Sequence, residues 1–179
     1  MRIISGKYGG RRISPPNKMP HTRPTTDIAK EGLFNILQNN LDFSVLKTLD
    51  LFGGTGCISY ELASRGAIDL TIVEKDIIIY EFIKKNKMNF GIENMQVIKQ
   101  EVFSFIQNTK EQYDFIFAGP PYALTAIDEL PLQIFKKQLL QKNGWFVLEH
   151  TPRNDYKKFE NYKMERNYGT TIFSIFIQD

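Results

Sequence analysis

Three short stretches of the 179-residue chain carry residue types that can hold a ligand or do chemistry at a ligand. In the first, an apolar run ends in Asp50-Leu51-Phe52-Gly53-Gly54-Thr55-Gly56. Glycines directly after a buried strand let the backbone turn tightly and approach a ligand without interference from a Cβ. As a dinucleotide fingerprint the run is incomplete, because Ser59 stands where a third glycine is expected. An acid just before the glycines suits a cationic ligand better than a pyrophosphate, which points toward S-adenosylmethionine. Asp50, Phe52, Gly53, Gly54, Thr55 and Gly56 are therefore candidate cofactor-binding residues, although such a turn is often only a turn. The second stretch puts one acid after each of the next two strand-like runs. Glu74 stands where a ribose would lie and can accept hydrogen bonds from both hydroxyls, while Glu101 suits adenine recognition or, nearly as well, the start of a helix. The third is Gly119-Pro120-Pro121-Tyr122 after a fourth apolar run. Each proline fixes its own φ and pushes its predecessor toward an extended backbone, so the carbonyls here point in set directions. Tyr122 adds a ring face on which a nucleic-acid base can stack.

Charge supplies a second indication. Residues 1–30 hold seven Lys or Arg against one Asp, while the rest of the chain is net acidic by three. A basic arm on a mildly acidic body fits a polyanionic partner, with Lys7, Arg11, Arg12 and Arg23 as candidate phosphate contacts. The alternative is a plain solvated basic surface, and charge alone leaves the two about equal. One cysteine, Cys57, excludes an internal disulfide, and with two histidines no metal site is expected. Apolar content of 42% with 24% charged residues is the profile of a soluble globular chain, with no apolar run near membrane-spanning length. No membrane partner is expected, and the expected compartment is the cytoplasm.

The elements that must position these residues follow from periodicity. Gly9-Gly10, flanked by Arg2-Ile3-Ile4 and Arg12-Ile13, suits a tight hairpin turn, so residues 1–24 read as a basic, solvated N-terminal hairpin arm. Thr26 or Asp27 can cap a helix through Ile28, Leu33, Phe34 and Leu37, closed by Asn39-Asn40. Strand-like runs then fall at 48–52, 70–74, 95–99, 113–118, 145–150 and 171–177, with helical stretches between most of them. The clearest helix, 76–90, has an acidic cap, late lysines and Gly91 after its end. Alternation of this kind predicts an α/β fold with a mostly parallel sheet covered on both faces. Runs near 162–168 and 171–177 lack a helix between them and read as a hairpin at the sheet edge. One domain spanning 1–179 accommodates all of this.

Taken in order, these residues resemble a known family. Amino-group methyltransferases carry Asp or Asn, then Pro-Pro and an aromatic, after the fourth strand, against Gly119-Pro120-Pro121-Tyr122 here. Arg2-Ile3-Ile4-Ser5-Gly6, Arg11-Arg12, Arg23-Pro24-Thr25-Thr26-Asp27 and Lys30-Glu31-Gly32-Leu33-Phe34-Asn35-Ile36-Leu37 look like the bacterial 16S ribosomal RNA guanine-N2 methyltransferases. Leu49 to Gly56, Ser64-Arg65-Gly66-Ala67 and Gly144-Trp145-Phe146-Val147-Leu148-Glu149-His150 continue the match over nearly the whole chain. The resemblance implies a Rossmann-like class I methyltransferase fold with a seven-stranded sheet, S-adenosylmethionine as methyl donor, and a guanine exocyclic amine of 16S ribosomal RNA as acceptor. It also implies ribosomal RNA or an assembling small ribosomal subunit as partner, met by a monomer. At position 119 the chain departs from the family by having glycine, which leaves only the backbone oxygens of Gly119 or Pro120 as expected acceptors for the amine. A carboxylate restored by Gly119→Asp is expected to keep or raise the rate. Two other readings are a DNA adenine methyltransferase, which commonly needs a recognition domain that this length does not hold, and a catalytically weak RNA-binding or assembly protein.

Overall fold

The computed structural model describes residues 1–16 and 25–179. Helix α1 (Asp27–Asn40) starts where Thr26 accepts a hydrogen bond from the Ala29 N–H, so Thr26 is the capping residue and Asp27 the first-turn acid. A short 3-10 turn (Phe43–Val45) leads into the alternating region. There follow β1 (Lys47–Leu51), α2 (Cys57–Ser64), β2 (Asp69–Glu74), α3 (Ile77–Phe90), β3 (Met95–Lys99), α4 (Val102–Asn108) and β4 (Tyr113–Ala118). Then come α5 (Glu129–Lys136), β5 (Leu140–His150), β6 (Tyr162–Tyr168) and β7 (Thr171–Ile177). Helix α3 ends as its sequence predicts: Gly91 takes the left-handed conformation (φ 66°) and closes the last turn onto Lys87 and Met88.

The seven strands form one sheet in the order β3-β2-β1-β4-β5-β7-β6. Strands β1 to β5 pair in parallel, and β7 runs antiparallel to both β5 and β6. The predicted edge hairpin is therefore present, with β7 inserted beside β5 and β6 outermost. Strand β5 begins five residues earlier than its apolar run, because a register shift between the Tyr113 and Phe115 pairings lets 140–144 join the sheet through a bulge.

Each face of the sheet is covered by helices. On one, Leu33, Phe34 and Leu37 of α1, Ile58 and Leu62 of α2 and Ile83 of α3 pack on Ile72, Phe117 and Val147. On the other, Phe105 and Ile106 of α4 and Leu130 and Ile134 of α5 pack on Leu51, Ile116 and Leu148. Side chains alternate along each strand, so Asp50, Gly119 and Glu149 fall on the face that carries α1 and α2.

The N-terminal arm differs from the solvated ribbon expected of it. An antiparallel bridge joins Arg2 to Arg12, with the Ile3 N–H donating to the Arg11 carbonyl and the Gly10 N–H to the Ile3 carbonyl. Its turn spans 5–10 and uses positive φ at Gly6 and Gly10, instead of a two-residue Gly9-Gly10 turn. Ile3, Tyr8 and Ile13 are buried in the core, so the arm is docked on the body. The reason is a latch. Buried Glu61 of α2 accepts the Ile4 and Ser5 N–H groups and pairs with Lys30 and Arg65.

Candidate functional site

The strand order reverses between β1 and β4, and in open α/β sheets ligands bind beyond the carboxyl ends of the strands at such a point. Most of the candidate residues converge there. At the end of β1 the chain leaves the sheet through Phe52, a non-glycine residue at φ 64°, followed by Gly54 at 53° and Gly56 at 77°. Side chains of L-residues rarely occupy that region, so Phe52 stores strain at the ligand end of the sheet. Gly53 has no room for a side chain, since a Cβ would lie 2.5 Å from the Ile72 methyl and 3.0 Å from Ile83. Gly56 forms the N-cap of α2, with the Tyr60 ring 2.7 Å from where its Cβ would be.

Glu74 closes the loop from the side. One carboxylate oxygen accepts the Gly54 N–H at 3.1 Å and the other the Asp76 N–H at 2.8 Å. Asp76 itself caps α3 through the Ile78 and Ile79 N–H groups, so Glu74 is not needed as a cap. Each carboxylate oxygen has a second lone pair, which leaves capacity for hydroxyl donors. Asp50 lies behind the loop, buried, and accepts a 2.7 Å hydrogen bond from the Ser59 hydroxyl. Burial pushes its carboxyl up to about 7 against the Ser59 hydrogen bond, and the charges of Glu74 and Glu149 push the same way. Asp50 therefore stands behind the loop as a buried carboxyl held by Ser59 of α2. Thr55 turns its hydroxyl onto the sulfur of Met1, which brings the first residue of the arm against the glycine loop. Glu101 is the N-cap of α4, its two oxygens accepting from Phe103 and Ser104, and it is exposed. The helix-start role weighed for Glu101 is thus occupied.

After β4, Gly119 continues the parallel ladder with its N–H toward the Leu51 carbonyl, and Pro120-Pro121 carries the chain to Tyr122. Tyr122 is 44% exposed. It lines a cavity of about 200 Å³ with Asp128, His150, Arg153 and Asn154, formed between the loop after β4 and the loop after β5. Tyr156 and Asn154 both donate to Asp128 there, and His150 is fixed between the Thr151 carbonyl and the Ser174 hydroxyl. Burial lowers the His150 imidazole below its usual range, favouring the neutral ring.

Two residues escaped sequence reasoning. Glu149, at the end of β5, is buried with its Oε2 3.7 Å from the position a Gly119 Cβ would take, and it accepts a 2.6 Å hydrogen bond from Thr25. The available signal was an acid ending a buried strand next to β4. His150 follows it into the cavity wall. The expected phosphate contacts divide. Lys7 and Arg11 flank the Tyr8 ring at 5.3 Å, Arg11 also covers Phe90, and Arg12 is exposed beside them. Arg23 lies outside the described residues. Among the described residues, no group of three or more His, Cys, Asp or Glu side chains is arranged to hold a metal, and no helix is long and apolar enough to cross a membrane.

Comparison with known proteins fits this geometry. Residues 1–177 match the family described as conserved hypothetical protein 95. The chain is 32% identical to the ribosomal RNA small subunit methyltransferase D of Buchnera aphidicola from Acyrthosiphon pisum, over 98% of this chain and 91% of that protein. A solved structure of a hypothetical protein from Thermus thermophilus superposes with a TM-score of 0.86 at 26% identity, covering 98% of each chain. At 21% identity, the fold is also that of the Thermus thermophilus 16S rRNA N2 G1207 methyltransferase, solved with AdoMet and guanosine. That match has a TM-score of 0.68 and covers 87% of this chain and 44% of that one.

Proposed function

The chain belongs to the family of the small-subunit ribosomal RNA methyltransferases D, and from that premise we propose that it methylates the exocyclic N2 amine of a guanine in 16S ribosomal RNA with S-adenosylmethionine as donor. The observation that carries the reading is the meeting of three features at one edge of the sheet. These are a strained glycine loop, a ribose-height carboxylate at Glu74, and a stiff Pro-Pro segment bearing an exposed tyrosine. The residues fit the donor by charge, because the Glu74 and Glu149 carboxylates both lie close enough to the end of β1 to act on Asp50 there, a negative field suited to a sulfonium. Gly53 to Gly56 and Glu74 would hold it, with Phe52 shaping the turn and Glu101 near its adenine end.

When bound, S-adenosylmethionine supplies a methyl group that is already strongly electrophilic. The protein's work is then alignment and charge placement. Guanine N2 is a weak nucleophile, its lone pair being delocalised into the ring. Holding it in line can contribute on the order of 7–11 kcal/mol by replacing a bimolecular encounter with an oriented one. Tyr122 would stack on the extruded base, worth about 1–3 kcal/mol in single-stranded sites. Backbone oxygens of Gly119 and Pro120 would face the amine protons and favour the positive charge that grows on nitrogen. Lys7, Arg11, Arg12 and Arg23 would meet phosphates of a ribosomal RNA or an assembling small subunit, positioning it without reading its sequence. A second reading, an RNA-binding assembly protein on this fold, is favoured by Gly119, where the motif acid is missing.

Incubation with labelled methyl donor and small ribosomal subunits from cells lacking this protein tests the proposal. The wild type should label them and Tyr122→Ala should do so at least tenfold more slowly, the equivalent of about 1.4 kcal/mol of lost stacking. Absence of label on subunits and on naked RNA, with cofactor bound, would leave the assembly reading standing.

A further inference from the structure

We infer that Glu149 is a carboxylate that meets the target amine from beside position 119, where the family's motif acid stands. The inference rests on the methyl-transfer reading above and assigns the acceptor that this reading otherwise leaves to the backbone. Its first support is register. Strands β4 and β5 pair in parallel with Ala118 beside Leu148, so the next residues, Gly119 and Glu149, stand side by side at the carboxyl end of the sheet. The second is volume. A Cβ at Gly119 would point into the space held by the Phe117 ring at 3.0 Å and Glu149 Oε2 at 3.7 Å. A side chain at 119 would thus lie in contact with the Glu149 carboxylate.

Orientation is fixed as well. Thr25, which immediately precedes the cap of α1, donates to Oε2 at 2.6 Å. Glu149 is only 6% exposed, so its carboxylate is held out of water at the carboxyl end of the sheet. It also lies close enough to Asp50 and Cys57 to act on both electrostatically, which places it in the same field as the glycine loop.

In the transfer step the amine nitrogen gives its lone pair to the methyl carbon as the carbon–sulfur bond breaks, and that bonding pair stays on sulfur, turning the sulfonium into a neutral thioether. The nitrogen then carries the positive charge and two protons. Glu149 accepts a hydrogen bond from one of them throughout, takes that proton after transfer, and passes it to water, leaving a neutral secondary amine.

Glu149→Gln separates this role from a structural one. The amide keeps an oxygen for Thr25 and nearly the same volume, but it cannot take a proton. With small subunits from cells lacking this protein, kcat should fall about 100-fold, the low end of what a positioned proton acceptor contributes. KM for the subunit should stay within a few-fold, and so should the affinity for S-adenosylhomocysteine measured by calorimetry. Wild-type rate in the Glu149→Gln protein would overturn the inference while leaving the methyl-transfer reading intact. A parallel collapse of S-adenosylhomocysteine affinity would also overturn it by making Glu149 a cofactor or packing residue. No transfer by the wild type would remove the reading and this inference with it.

Discussion

Asp50 joins the site's chemistry to the stability of the whole chain. Its carboxyl, lifted to about 7 chiefly by burial, has an unfolded value near 3.9. Between about pH 4 and 7 the folded protein therefore holds a proton that the unfolded chain has released. Stability from this group falls as pH rises through that window and levels off above it. Asp50→Asn keeps an oxygen for Ser59 and removes the titration. In urea melts, its stability relative to wild type should rise by about 2–3 kcal/mol between pH 5 and pH 8. Parallel pH profiles for the two proteins would show that the Asp50 carboxyl titrates normally. The residue scale was also the least legible in sequence. Glu74 could be placed because a strand end is a local feature, and Asp76 visibly freed it from capping. Glu149 could not, because only the sheet order shows that its strand lies beside Gly119. The same contact revises the expectation for Gly119→Asp. In the wild-type background a second carboxylate would press on the Phe117 ring and sit against Glu149, so that change alone should slow transfer.

Between elements, the latch on the N-terminal arm carries more weight than its length suggests. Glu61 and Lys30 are fully buried, and Glu61 also accepts two backbone N–H groups from the arm and the Arg65 guanidinium. Lys30 in turn donates to the Arg2 carbonyl. Removing one member of such a pair leaves a charge stranded out of water. Glu61→Ala should therefore lose about 3–5 kcal/mol in chemical denaturation. A loss under about 1 kcal/mol would mean that the arm is held by its apolar contacts alone. Sequence reading missed the docking because its partners are 56 and 57 positions apart and the arm's charge pattern masks Ile3, Tyr8 and Ile13. The helices and the parallel strands were legible, since each depends on periodicity and caps within a few residues: Thr26 and Asp76 cap, and Gly91 terminates, as their types require. The early start of β5 was not, because a bulge and a contact between Asn143 and Gln178 admit a polar stretch that has no strand pattern of its own.

Across the whole molecule, a basic arm is docked along α2, its first residue against the glycine loop and its turn against Ser64 at the far end of that helix. Lys7 and Arg11 stand with that turn over the Tyr8 and Phe90 rings, as a cationic flank on the body. Arg11→Ala with Arg12→Ala should weaken RNA binding and reduce the slope of log affinity against log salt by roughly one to two units. The melting temperature should drop slightly, since Arg11 also covers the Tyr8 and Phe90 rings. An unchanged slope would assign the arm's charge to solvation. The fold class was readable from strand and helix alternation, and the switch point followed once the strand order was known. Which base and which atom receive the methyl group are properties of the pocket as a whole. The most direct measurement is therefore nuclease digestion of small-subunit RNA labelled by the wild-type protein, with the methylated nucleoside identified by chromatography and mass spectrometry. The account predicts a single labelled product, N2-methylguanosine, and label on adenosine or on a ring nitrogen of guanosine would contradict it.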